Sequence, residues 1–123
     1  MNLPENNQTV MPYLILPNAS SFISFMEKVF GANEILKHMR DDNKIMHGEI
    51  MIGDSTIMFA DTTEQFQTST ANLFIYVEDA DQTIEKAKSE GAIVVKEITD
   101  EDYGRGGGIK DPFGNIWWIT RPK

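Results

Sequence analysis

Cysteine is absent from this chain of 123 residues. That excludes disulfides, thiolate nucleophiles and cysteine-based metal centres, and it fits a reducing cytoplasm. Histidine is scarce, with His38 and His47 the only two. Positive charge is in deficit: 11 Lys and Arg stand against 19 Asp and Glu, a net charge of −8. Nucleic-acid binding needs a basic face, so such a partner is not expected, and a neutral or cationic small ligand is easier to accommodate. The acidic balance is equally what keeps an ordinary cytosolic domain in solution. No apolar run approaches the roughly 18 residues of a membrane span. Met1 to Thr9 is polar, with Glu5 and no basic side chain. It lacks the pattern of a signal peptide and reads as a loose arm ahead of the first strand. Also missing are a Gly-x-Ser-x-Gly elbow, a Ser/His/Asp order and a dinucleotide fingerprint.

What is present is a weak internal duplication within a length that suits one domain. Val10 to Leu16 is an apolar strand candidate, stopped by Pro17. Asn18 is placed to cap a helix. Phe22, Phe25, Met26, Val29 and Phe30 then follow at helical spacing on one face, and Gly31 ends the run. The second half repeats this order. Leu73 to Val77 is a strand, Asp79 and Gln82 resemble a capping box, Ala80, Ile84 and Ala87 form the buried stripe, and Gly91 ends the helix. Asn18 and Asp79 are 61 positions apart, and Gly53 and Gly114 are again 61 apart. Strands are expected at 35–40, 44–52 and 56–61 in the first half, and at 92–98, 107–110 and 116–120 in the second. The order is β-α-β-β-β, twice, an α+β fold with module one at about 10–62 and module two at about 71–121 of a single domain spanning 1–123.

The Gly53-Asp54 pair predicts a tight hairpin that sets Glu49 opposite Met58 and His47 opposite Ala60. Alternation then assigns Met46, Gly48, Ile50, Ile52, Ile57 and Phe59 to the surface under a helix. The other face collects His47, Glu49, Met51, Met58 and Ala60. Equivalent positions elsewhere add Met11, Tyr13, Ile15, Asn72, Phe74, Tyr76, Trp118 and Thr120. Such a mixture of aromatic groups with a few polar ones suits a ligand pocket, and it suits a barrel core or a dimer interface as well. An acid such as Glu49 among apolar neighbours is costly to bury unpaired, so it requires a wet cavity, a ligand, or a partner such as His47 or Arg105. The run Gly104-Arg105-Gly106-Gly107-Gly108 reads as a mobile hairpin lip, with Arg105 able to close over an anionic group.

The segments Ile52-Gly53-Asp54-Ser55, Tyr103-Gly104-Arg105 and Lys110-Asp111-Pro112-Phe113-Gly114-Asn115-Ile116-Trp117-Trp118 resemble the vicinal oxygen chelate superfamily. That superfamily includes glyoxalases, dioxygenases, fosfomycin-resistance enzymes and bleomycin-binding proteins. With Pro12-Tyr13-Leu14, the ending is similar to the PhnB-like branch. The resemblance spans nearly the whole chain and implies paired βαβββ modules forming an open, U-shaped mixed sheet around a site. It also implies metal-ligand positions at about Met11, Met58, Asn72 and Trp118. None is His or Glu, and thioether, amide and indole groups are poor ligands for the ions such enzymes use. No cofactor is therefore expected. His47 and Glu49 remain as a two-ligand pair, a hydrogen-bonded couple or a polar contact for ligand.

Three functions follow as expectations. The first is a metal-independent small-molecule-binding protein of the bleomycin-resistance kind, with Tyr13, Met58, Asn72, Phe74, Tyr76, Arg105 and Trp118 lining the site. An aromatic or cationic ligand would stack there, and Glu49 would offer charge. The second is an enzyme of the same superfamily using His47 and Glu49 as a general acid–base pair. The third is an interaction module with a vestigial pocket. A cytoplasmic homodimer is expected, since open sheets leave edges that a symmetric partner covers.

Overall fold

Apolar residues three and four apart bind a helix to a sheet, and a period of two binds a strand to that same surface. In the computed structural model, which describes all 123 residues, both patterns are realised twice. The chain divides into two compact units, Met1–Thr70 and Ala71–Lys123. The first contains β1 (Tyr13–Leu16), α1 (Ala19–Phe30), β2 (Asn33–Met39), β3 (Ile45–Ile52) and β4 (Ser55–Asp61). The second contains β5 (Asn72–Tyr76), α2 (Ala80–Ser89), β6 (Ile93–Glu101), β7 (Gly104–Lys110) and β8 (Ile116–Pro122). Each unit has one four-stranded mixed sheet, ordered β1-β4-β3-β2 and β5-β8-β7-β6. In each, the first strand pairs parallel with the last, and the other pairings are antiparallel.

The duplication extends to the register. Tyr13 lies opposite Met58 and Leu14 opposite Phe59 in the first unit. Phe74 lies opposite Trp118 and Ile75 opposite Ile119 in the second. The hairpin register expected from Gly53-Asp54 is also present, with Ile52 opposite Ser55 and Glu49 opposite Met58.

Helix α1 begins as its sequence predicts. The Asn18 side chain accepts from Ser21 N–H, and Gly31 closes the helix in the left-handed region. Its apolar stripe buries Phe22, Phe25, Met26 and Val29, and Phe22 meets Phe59 of β4 edge-on at 5.2 Å. Gly48 lets the Phe59 ring lie against β3, because a Cβ there would come within 2.5 Å of that ring. Helix α2 is capped by Asp79, which accepts from Gln82 N–H, and buries Ala80, Ile84 and Ala87. It stops at Ser89, with Glu90 as the capping residue and Gly91 one position further on.

Four expectations are corrected here. The glycine run at 104–108 is no loop: it forms most of β7, paired on both sides. Met46 does not lie under the helix. Pairing steps from His38–His47 to Met39–Ile45, so Met46 is an extra residue that bulges out and is exposed; such a bulge reverses the alternation beyond it. The N-terminal arm is not loose. Thr56 N–H donates to the Gln8 side chain, the Thr56 hydroxyl donates to the Asn6 carbonyl, and Asn7 reaches Glu49. The first strand is shorter than expected, beginning at Tyr13 after Pro12.

Candidate functional site

In the first unit the side chains of His47 and Glu49 leave β3 on the same face, as alternation requires. There they form a chain with Tyr13 of β1. Tyr13 Oη lies 3.0 Å from His47 Nδ1, and His47 Nε2 lies 2.8 Å from Glu49 Oε2. Asn7 Nδ2 donates to the other carboxylate oxygen, Oε1, at 3.0 Å. Glu49 is only 7% exposed. Burial by itself would push its pKa up, but hydrogen bonds from His47 and Asn7, with the charges of His47 and His38, outweigh burial and hold it below the usual carboxylate value. An ionised carboxylate only accepts. His47 Nε2–H therefore donates to Glu49, and the second bond joins Nδ1 to the Tyr13 hydroxyl. The Tyr13 pKa is raised by its own partial burial and then by the Glu49 charge, so the group rests as a phenol.

These contacts revise the role expected of Glu49. Both of its oxygens are engaged and it is nearly enclosed, so its charge is turned toward Asn7 and His47. Met58 lies beside Tyr13 in the paired strands and is half-buried.

In the second unit Phe74, Tyr76 and Trp118 stand on one face of the β5–β8 pair, because Phe74 is opposite Trp118 and Tyr76 is two residues on from Phe74. Phe74 meets Tyr76 edge-on at 5.2 Å and Tyr103 at 6.5 Å. Phe74, Lys96, Tyr103, Gly106, Trp118 and Thr120 border a shallow hollow of about 340 Å³. Trp118 Nε1–H donates to Asn72 Oδ1 at 3.2 Å. Trp117 points the opposite way, is buried, and donates its indole N–H to Asp111 Oδ2 at 2.9 Å.

Arg105 is not brought to this face. It sits on β7 two positions before Gly107, where a Cβ would touch Ile84 of α2, so both belong to the helix side. Its guanidinium makes a two-pronged contact with Asp81 of α2, at 2.8 and 3.0 Å, and a third contact with Asp100 at 3.1 Å. Those bonds hold the Asp81 pKa down and the Arg105 pKa up. The guanidinium expected to close over a ligand instead ties helix to sheet.

Two buried acids were not singled out from the sequence. Asp61 accepts from Ala19 N–H, at the start of α1, and from Ile45 N–H, at the start of β3. Asp111 accepts from the N–H groups of Phe113 and Asn115, from the Asn115 amide and from Trp117. The Asp-Pro-Phe-Gly-Asn stretch does carry a signal for the second, since an Asp at the head of a turn binds the backbone two residues on. Nothing local marks Asp61.

The metal positions implied by the resemblance do not fit an ion. Asn72 and Trp118 satisfy each other, and Met58 offers only a thioether. No group of three or more His, Cys, Asp or Glu side chains is placed to hold a metal.

Residues 8–119 match the family model described as the glyoxalase/bleomycin resistance protein/dioxygenase superfamily. The chain belongs to this superfamily. Among its relatives is the Mycobacterium bovis protein Mb0911c, uncharacterised, 31% identical over 90% of this chain and 81% of that protein. The fold is shared with a PhnB protein from Bacillus cereus, with a TM-score of 0.73 and 16% identity over 93% of this chain and 99% of that one. It is shared too with the bleomycin-binding protein of Streptomyces verticillus, solved with copper(II)-bleomycin, at a TM-score of 0.60 and 19% identity over 95% and 98% of the two chains. No helix of this superfamily member is long and apolar enough to cross a membrane.

Proposed function

We propose that this superfamily member is a metal-independent binding protein that holds a flat aromatic molecule by stacking. The observation that carries this reading is the row Phe74, Tyr76 and Tyr103, exposed by 53%, 63% and 56%, beside a half-buried Trp118. Large aromatic side chains are ordinarily buried, and an exposed apolar cluster commonly marks a place where something binds. Tyr13 and Met58 are the equivalent wall residues of the first unit. The bleomycin-binding relative lends the reading support by analogy of fold. The lack of cysteine and the acidic composition agree with a cytoplasmic setting.

The test is tryptophan fluorescence against a panel of planar aromatic heterocycles. A stacked ligand quenches Trp118, the quench disappears in Trp118→Ala, and Phe74→Ala weakens binding by about three- to tenfold. A panel that binds Phe74→Ala and the native chain equally well would exclude stacking.

A second reading, an enzyme, is favoured by the Tyr13–His47–Glu49 chain. An acceptor-only carboxylate, an imidazole bonded through both ring nitrogens and a terminal hydroxyl form an acid–base relay. Its working end is the Tyr13 hydroxyl, since Glu49 is enclosed. Turnover of a bound ligand that is lost in Tyr13→Phe, with affinity retained, would establish it. Unchanged turnover in that variant would exclude it.

A further inference from the structure

The sheet of the first unit borders a hollow of about 450 Å³. Its apolar wall is formed by Tyr13, Ile15, Met46, Ala60 and Phe66. Two features of the backbone build that wall. The bulge in β3 turns Met46 away from the helix side. A closed turn holds Phe66, where Thr63 N–H donates to the Phe66 carbonyl at 2.9 Å and Phe66 N–H donates to Thr63 Oγ1 at 2.8 Å. The segment beyond this turn is tied to β1 by paired bonds between Ile15 and Ser69.

Two charged residues border the hollow, Asp61 and Arg40. They do not neutralise each other. The Asp61 oxygens are engaged by Ala19 N–H at 3.0 Å and Ile45 N–H at 2.7 Å. Arg40 makes a hydrogen bond of 3.3 Å to the Thr62 carbonyl and no ion pair. Its chain neighbour Asp41 turns Oδ1 to the N–H groups of Asn43 and Lys44, each at 2.8 Å. In a chain of net charge −8, a guanidinium in no ion-pair contact, acting on the Asp41 carboxylate only at longer range, thus stands at the rim of an apolar hollow. Its planar fork of donors is matched by a carboxylate or sulfonate.

We propose that this hollow binds an organic anion with an apolar body, its acidic group paired with Arg40 and its body against Ile15, Met46, Ala60 and Phe66. The inference rests on reading the chain as a small-molecule binder, and it adds a ligand class and a set of residues which that reading leaves unassigned.

Two fluorescent probes with the same aromatic body test it on the full chain: anilinonaphthalene sulfonate, which is anionic, and phenylnaphthylamine, which is neutral. Both bind the native chain. Arg40→Gln weakens the sulfonate about fivefold, the upper range for an exposed ion pair, and leaves the neutral probe unchanged. Met46→Ala and Phe66→Ala, at exposed positions where the fold tolerates truncation, weaken both probes. The proposal is overturned if the native chain binds neither probe, if Arg40→Gln binds the sulfonate with native affinity, or if Met46→Ala and Phe66→Ala leave both unaffected. Loss of both probes in Phe74→Ala alone would also overturn it, and would support the aromatic face of the second unit. Failure of planar heterocycles to quench Trp118 would leave this result standing.

Discussion

Glu49 is buried yet ionised because its two oxygens each have a donor, Asn7 on one side and His47 on the other. It holds a proton less tightly in the folded chain than in the unfolded one. Its contribution to stability is therefore complete above the unfolded-state value, about 4.3, and is lost as pH falls through the lower folded-state value. Glu49→Gln should destabilise the chain at pH 7 by about 1–2 kcal/mol. The gap between variant and parent should narrow as urea titrations are carried to pH values below about 4. A gap of constant size across that range would mean that Glu49 is not held as a charged member of the Tyr13–His47–Glu49 chain. Neither its partner from the arm nor its enclosure was legible beforehand: the sequence supplied His47 and Glu49 on one strand face, but Asn7 lies 42 positions away.

Among the elements, β7 departs furthest from what its composition suggests. A run of glycines is ordinarily a turn signal because it weakens a strand. Here the missing side chains are what allow close packing. A Cβ at Gly106 would come within 2.7 Å of the Ile119 carbonyl, and one at Gly108 within 2.7 Å of the Trp118 ring. At Gly107 it would lie 2.9 Å from the Lys96 carbonyl and 3.1 Å from Ile84 of α2. Gly106→Ala should lower stability by about 1–3 kcal/mol through overpacking, read as a reduced urea midpoint. A midpoint equal to that of the parent would contradict such close contact. The bulge at Met46 makes the same point in β3. Simple alternation fails where the ladder takes up one extra residue, and the partner strand decides where that happens.

For the whole molecule, the two sheets leave β1, β2, β5 and β6 as edge strands. On β6, Ile93 and Val95 are exposed, by 62% and 45%. Unpaired edges with apolar side chains are usually covered in natural proteins, and a symmetric second copy is the common solution. Light scattering should accordingly give twice the chain mass of 13.9 kDa. A value of one chain mass at micromolar concentration would refute the dimer, and Ile93→Lys should shift a true dimer toward monomer if β6 takes part.

The amino-acid sequence by itself determined the duplicated order of the elements, the caps at Asn18 and Asp79, and the sheet face that Trp118 takes. These depend on neighbours a few positions apart, where periodicity and capping act. Only the tertiary structure decided where polar side chains end. Arg105 is drawn to Asp81 across 24 positions, Asp61 joins the starts of α1 and β3, and Arg40 is turned to the Thr62 carbonyl with no close ion pair. Such contacts pair residues distant in the chain, and their partners are chosen by packing and by the cost of leaving a buried charge or amide unsatisfied, which no local pattern encodes.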